Sequence, residues 1–140
     1  MHRRLILAAV VTSTAFPPGL AWAKLPTKFD RRLLGVWRSD KERTLTTWKF
    51  KDSTSPSDRE RIGKWFGKLT HRYTETTSYT EFEGETFSNR YWVTESGENF
   101  VSTAWIEEGN VVRNRVFLEG SQYIFQLFGK NIEYFKRIEA

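Results

Sequence analysis

The sequence contains no cysteine, which excludes disulfides and leaves packing alone to stabilise the fold. The same absence excludes a thiolate nucleophile, a cysteine for lipid attachment and every sulfur ligand for zinc. Histidine is also scarce, because only His2 and His71 occur and a metal site built from several histidines needs more. We therefore expect neither a metal site nor a cofactor.

Long apolar runs are scarce as well, and the one near the N-terminus is short. Two arginines precede the apolar stretch Leu5–Val11, and the small-residue pattern Ala21-Trp22-Ala23 follows it. This order is typical of a secretory signal peptide, whereas a membrane span needs about 20 apolar residues. We expect residues 1–23 to be the signal peptide and residues 24–140 to be one domain without a stable membrane anchor. After cleavage near Ala23 the protein would be periplasmic or extracellular.

The excess of positive charge is small once the expected signal peptide is removed. The whole chain has 22 lysines and arginines against 17 acidic residues, a net charge of +5. Cleavage removes Arg3 and Arg4, which leaves 20 against 17 and a net charge of about +3. No segment concentrates basic residues without acids nearby, so we expect no nucleic-acid partner.

Aromatic residues are abundant. Of the 22 Phe, Trp and Tyr residues, only Phe16 and Trp22 belong to the expected signal peptide. Each large ring buries roughly 150–250 Å², so these side chains could build a core without disulfides. They are also what lines an apolar cavity, and composition does not separate the two uses.

From Leu34 onward, short β-rich runs alternate with turn residues. The eight predicted strands, A to H, are Gly35–Asp40, Arg43–Lys51, Leu69–Tyr79, Glu85–Glu95, Glu98–Glu107, Val111–Glu119, Gln122–Phe128 and Asn131–Glu139. Consecutive hairpins without crossover helices favour an antiparallel sheet, and closing that sheet removes its exposed edges. The pattern therefore predicts an all-β fold, an eight-stranded antiparallel up-and-down barrel.

One amphipathic helix is predicted between strands B and C, over roughly Pro56–Gly67. Ser55 is suited to be its N-cap, Pro56 to occupy the first helical position, and Asp58 to lie in the first turn. Apolar residues from Ile62 onward follow at helical spacing. Such a helix packs on the sheet or covers an open barrel end; the functional alternatives are a lid over a ligand cavity and a partner-binding face.

Two short motifs at the ends of the predicted barrel indicate a family. Gly35-Val36-Trp37 opens the first strand, and Tyr134-Phe135-Lys136-Arg137 lies in the last. Together they resemble the lipocalin and wider calycin pattern, in which a G-x-W and a basic residue near the chain end meet at the closed end of a barrel. The resemblance implies that Gly35, Trp37 and Arg137 close the barrel, with the arginine stacked on the indole. It also implies a role in holding a small apolar ligand.

Strand alternation indicates which side chains face the interior. In strand C the inward set includes His71, Tyr73 and Glu75, and in strand D it includes Asn89 and Tyr91. Polar groups buried without partners cost a few kcal/mol each, so they are paired with one another, hydrated in a cavity or in contact with a ligand. These five residues are the candidate ligand-binding residues.

The sequence leaves two functions open. An exported barrel could bind a small, largely apolar molecule; alternatively, a filled barrel could act as an envelope interaction protein, an inhibitor or assembly factor, without a small-molecule ligand. The second possibility arises because the aromatics of strands E and G, such as Phe100, Trp105, Phe125 and Phe128, cannot all point inward, and outward aromatics are enriched at interfaces. An enzyme is the third and weakest hypothesis, because no nucleophile-elbow, P-loop, metal or dinucleotide motif occurs and no catalytic residue is assigned.

Overall fold

The computed structural model describes residues 12–15 and 28–140 of the chain. The expected signal peptide therefore lies outside the described residues, except for Thr12–Ala15. The strands are β1 (Thr12–Ala15), β2 (Gly35–Ser39), β3 (Thr70–Tyr73), β4 (Thr77–Phe82), β5 (Glu85–Ser96), β6 (Phe100–Glu107), β7 (Asn110–Glu119), β8 (Tyr123–Phe128) and β9 (Asn131–Glu139). The helices are α1 (Lys41–Thr47) and α2 (Pro56–Gly63). Within this part of the chain, neither helix has the length and apolar character to cross a membrane.

Eight strands form a closed antiparallel barrel, as the sequence predicted. Their order around the barrel is β7-β6-β5-β4-β3-β2-β9-β8, and β8 pairs again with β7. Neighbours in the barrel are therefore neighbours in sequence, except where β2 pairs with β9. Each short hairpin brings the next strand alongside the previous one, so the first and last strands of the domain complete the ring.

The seam between β7 and β8 is short. Only the three residue pairs from Phe117↔Phe125 to Glu119↔Tyr123 join the two strands. On the adjacent stretch of β7, Asn110–Arg113, the strand β1 pairs antiparallel along the same edge. The strand β1 is therefore an addition to the barrel edge and not one of the eight barrel strands.

The predicted strand B is wrong, because its first half is the helix α1. The carboxylate of Asp40 caps this helix by accepting a hydrogen bond from the Arg43 backbone N–H at 3.0 Å. Thr44 is fully buried, and its Oγ1 accepts a hydrogen bond from the backbone N–H of Tyr134 at 3.0 Å. This contact with a residue far along the chain anchors α1 against β9.

The predicted strand C is two strands, β3 and β4, joined by a tight turn. The Thr74 hydroxyl organises the turn by accepting hydrogen bonds from the backbone N–H groups of Thr76 and Thr77. The count of eight barrel strands is therefore right, although one predicted strand is lost and another is divided. Both helices lie between β2 and β3, the first and second strands of the barrel.

The helix α2 begins as predicted. Ser55 is the N-cap, with its Oγ accepting from the Asp58 backbone N–H at 3.2 Å, and Pro56 is the first helical residue. The helix ends at Gly63, earlier than the predicted Gly67, and turn residues occupy positions 64–67. Gly67 has a φ of +86°, which a glycine adopts without steric cost.

The core fills the barrel. Its fully buried large side chains are Leu33, Trp37, Ile124 and Phe135, with Val101 and Val116. A second, smaller buried cluster consists of Trp92, Ala104 and Val111, with Ile106 packed against it. Because Trp92 lies between the core residues Tyr91 and Val93, strand alternation places this second cluster on the outer face of the sheet.

Candidate functional site

At one end of the barrel, Arg137 stacks on Trp37. The guanidinium carbon lies 4.1 Å from the centroid of the indole ring, and the two residues are paired across β2 and β9. Trp37 is 1% exposed, and its Nε1 donates to the carbonyl of Leu33 at 2.9 Å. Burial lowers the pKa of Arg137, yet a guanidinium stays charged at neutral pH. The side-chain contact expected from the sequence is present.

Arg137 also ties three chain segments together. Its guanidinium donates to the carbonyls of Leu34 at 2.6 Å, Arg32 at 3.0 Å and Ser121 at 2.8 Å. Gly35 leaves the space for it: a Cβ at this position would lie 2.5 Å from Arg137 Nη1 and from the Glu139 carbonyl oxygen. With a φ of +126°, position 35 is also a backbone conformation that favours glycine.

Four of the five predicted ligand-binding residues line one small cavity inside the barrel. This interior cavity has a volume of about 50 Å³, and its walls include His71, Tyr73, Asn89 and Tyr91. The other lining residues are Ser78, Thr80, Thr103, Trp105, Asn114 and Gln126. The expected inward position of Glu75 is wrong: β3 ends at Tyr73, so strand alternation does not continue to Glu75, which is exposed in the turn.

The interior cavity is polar and incompletely satisfied. His71 Nδ1 lies 3.1 Å from the Thr80 hydroxyl, whereas the buried His71 Nε2 and Trp105 Nε1 have no hydrogen-bond partner among the described residues. Burial lowers the pKa of His71 to about 4, so its imidazole is neutral at physiological pH. Tyr91 donates to the Thr74 carbonyl at 2.6 Å, and burial raises its pKa to about 12.

The interior cavity is too small for a drug-sized ligand, which needs on the order of 300 Å³ or more. It has the polarity and room for water, which would satisfy the two unpaired nitrogen atoms of His71 and Trp105. In residues 12–15 and 28–140, no group of three or more His, Cys, Asp or Glu side chains could hold a metal ion.

A larger apolar cavity lies between the helical segment and the neighbouring end of the barrel. We call it the helix-covered pocket; its volume is about 160 Å³, and its walls are Trp48, Ile62, Trp65, Phe66, Leu69, Phe82, Phe128 and Glu133. The aromatic rings of this wall are in contact, with the centroids of Trp48 and Phe66 at 4.7 Å and those of Trp48 and Phe128 at 5.7 Å. A protein cavity of about 150 Å³ can bind benzene, so this pocket has room for about one aromatic ring.

Among the residues that the structure describes, Glu133 is the one charged residue in the wall of the helix-covered pocket. Its Oε2 accepts a hydrogen bond from the Ser39 hydroxyl at 2.7 Å, and Ser39 Oγ in turn accepts from the Gly67 backbone N–H at 3.0 Å. Burial raises the pKa of Glu133 to about 7, and the weaker opposing effect is the hydrogen bond from Ser39. The carboxyl group therefore changes charge near neutral pH.

The helix-covered pocket was not predicted from the sequence. Trp48 was expected in a strand. Ile62 was assigned to a helix that packs on the sheet or covers an open barrel end, with a lid over a ligand cavity as one alternative, but the wall of such a cavity was not identified. One signal was present: in strand H, alternation from the apolar Phe135 places Glu133 on the same inward face. An acidic side chain on an inward face is seldom fully buried unless it is paired, so it is the kind of residue that marks a site.

No protein-family model matches this chain, and no curated protein or solved structure matches it either.

Proposed function

We propose that this chain is an exported, lipocalin-like barrel that binds a small, largely apolar ligand in the helix-covered pocket. The observation that carries the proposal is the pocket itself, about 160 Å³ in volume and walled by seven apolar side chains and Glu133. Binding pockets are concave and mostly apolar, with few polar groups that fix orientation. A ligand of about one aromatic ring would displace water from surfaces that gain free energy when buried.

The two ends of the barrel support the lipocalin-like interpretation. The Gly35, Trp37 and Arg137 arrangement lies at the start of β2, where Arg137 bonds to the carbonyls that precede this strand. The helical segment follows the end of β2 at Ser39, so the helix-covered pocket lies towards the opposite end of that strand. One end is thus filled by a tryptophan, and the other holds the cavity.

The predicted residues of the interior cavity take a supporting role in this proposal. His71, Tyr73, Asn89 and Tyr91 surround a space of about 50 Å³, which suits water better than the body of a ligand. The ligand body is therefore assigned to the helix-covered pocket, where Trp48 and Trp65 would report its arrival by fluorescence.

Ligand binding can be tested with 4-fluorotoluene, observed by ¹⁹F NMR, on the purified protein. We expect saturable binding to the unaltered chain and to Ile138→Trp, which enlarges an exposed side chain away from the pocket. Ile62→Trp makes the same exchange in the pocket wall and should abolish binding by filling the space. A folded, unaltered protein that shows no saturable binding would contradict the proposal.

An envelope interaction protein is the second candidate. It is favoured by the small interior cavity, which means that side chains fill most of the barrel, and by the exposed apolar side chains of Leu127, Phe128 and Ile138. Aromatic and aliphatic side chains on an outer face are typical of protein interfaces. Cross-linking in the envelope should then recover a recurring partner; a monomeric protein without such a partner would argue against this function.

A further inference from the structure

We infer that the ligand of the helix-covered pocket is an apolar amine, about the size of one substituted aromatic ring, whose ammonium group pairs with Glu133. This inference rests on the proposed function and specifies the chemical class of the ligand. It follows from the position of one carboxyl group in a wall of seven apolar side chains.

The carboxyl group of Glu133 is held in place by a hydrogen bond and can accept further hydrogen bonds. The Ser39 hydroxyl bonds to Oε2, and Ser39 is itself fixed by the Gly67 backbone N–H. The second oxygen, Oε1, accepts no hydrogen bond from the residues that the structure describes. An ionised carboxylate has sites for about four hydrogen bonds, so a ligand that donates would find an oriented group that can accept further hydrogen bonds.

The charge in the pocket selects among ligand classes. No basic side chain from positions 28–140 lines the pocket, so an anionic ligand would bring a second negative charge beside Glu133 without a cation from these residues to offset it. A hydrocarbon would bury the carboxyl group without giving it a new partner, which costs free energy. An ammonium group supplies three donors and the opposite charge, and hydrogen bonds between ionised groups are about twice as strong as neutral ones.

The aromatic wall adds a second attraction for a cation. Trp48, Trp65, Phe66 and Phe128 present rings to the same space as Glu133. A cation within about 6 Å of an aromatic ring centroid gains from the ring quadrupole, most of all with tryptophan. The apolar body of the ligand and its cationic head would therefore both find complementary surface in this pocket.

The test compares four probes of nearly equal size on the full protein at about pH 8, above the pKa of about 7 for Glu133. The probes are toluene, benzyl alcohol, benzylamine and benzoate, with binding measured by calorimetry. A charge-assisted hydrogen bond contributes about 1.5–3 kcal/mol, so benzylamine should bind at least about tenfold more tightly than toluene. Benzoate should bind most weakly.

The matched control is Glu133→Gln, which keeps the shape of the side chain and an oxygen that can accept from Ser39. In this variant, benzylamine should lose its advantage over toluene, because the neutral amide gives the ammonium group no opposite charge to pair with. If the variant does not fold, the order of the four probes on the unaltered protein decides the question.

The outcomes separate the inference from the proposed function. Equal binding of toluene and benzylamine, or tightest binding of benzoate, would overturn the amine inference and leave an apolar binding pocket. Failure of all four probes to bind a folded protein would overturn both. A benzylamine preference that persists in Glu133→Gln would also overturn the inference, because the preference would then come from another group.

Discussion

Arg137 combines two kinds of contact in one side chain. Its guanidinium lies over the Trp37 indole, and its three nitrogen atoms donate to carbonyls from Arg32, Leu34 and Ser121. The planar guanidinium has five donors in a fixed geometry, which a lysine could not reproduce. Arg137 therefore fixes the chain before β2 and the hairpin before β8 at the same end of the barrel.

The Trp37–Arg137 contact predicts non-additive losses of stability. Trp37→Ala removes a buried ring and leaves a cavity, which should cost about 3–5 kcal/mol of unfolding free energy. Arg137→Ala should cost less, and the double variant should lose less than the sum of the two because each substitution removes the same contact. Urea unfolding of the three variants measures these values; strictly additive losses would contradict the energetic importance of the contact.

Glu133 is a residue whose burial opposes its ionisation. Its pKa rises from the ordinary 4.5 to about 7 in the folded protein, chiefly because burial disfavours the charged carboxylate. A raised pKa means that the folded state binds the proton more tightly than the unfolded state does. The contribution of this proton to stability is fully present below about pH 4.5 and is lost as the pH rises through about 7.

Replacing Glu133 by glutamine should remove this pH dependence. Between about pH 4.5 and pH 7 the unaltered protein should lose about 2–3 kcal/mol that Glu133→Gln does not lose. His71 has the opposite effect on the pH dependence of stability, and it has this effect in both proteins. Because its pKa is lowered to about 4, the fold loses stability as the pH falls below the ordinary histidine pKa of 6.5. Chemical unfolding at several pH values gives the difference between the two curves; parallel curves would show that Glu133 is not desolvated.

At the scale of elements, the start of a helix could be predicted from the sequence where the residues at that helix end determine it. The N-cap of α2 could be predicted because Ser55, Pro56 and Asp58 each have a direct physical role in the first turn. Strand alternation likewise identified His71, Tyr73, Asn89 and Tyr91 as neighbours around one interior space. These predictions need only the geometry of one element and its pairing partner.

Elements whose structure depends on distant contacts could not be predicted in this way. The stretch from Thr44 to Phe50 has the alternation of a strand, yet it begins in α1 because Thr44 is buried and bonds to the Tyr134 backbone. The helix-covered pocket escaped prediction for the same reason, since it forms only when Trp48 and the α2 segment pack over the barrel end. Tertiary contacts here override a local pattern that would suit either structure.

At the scale of the whole molecule, the ring of eight strands depends on two pairings. β2 pairs with β9, which joins the first and last strands of the domain, and β7 pairs with β8 through three residue pairs. Strand β1 lies beside this seam on Asn110–Arg113 and belongs to the expected signal peptide. Since the eight barrel strands pair in a ring without β1, the barrel should persist when residues 1–23 are removed.

We predict that a chain beginning at Lys24 folds into the same barrel, with an unfolding midpoint close to that of the full chain. The shorter chain should differ from the full chain only locally. The backbone amides in Asn110–Arg113 that bond to β1 should exchange hydrogen faster in the shorter chain, because they lose their partner strand. The amides of Phe117–Glu119, which face β8, are the internal control and should keep their protection. Hydrogen exchange of the two proteins, read residue by residue, measures both. If the shorter chain fails to unfold cooperatively, β1 is part of the folded domain and the signal-peptide prediction is wrong, because a segment removed on export cannot be required by the protein that remains.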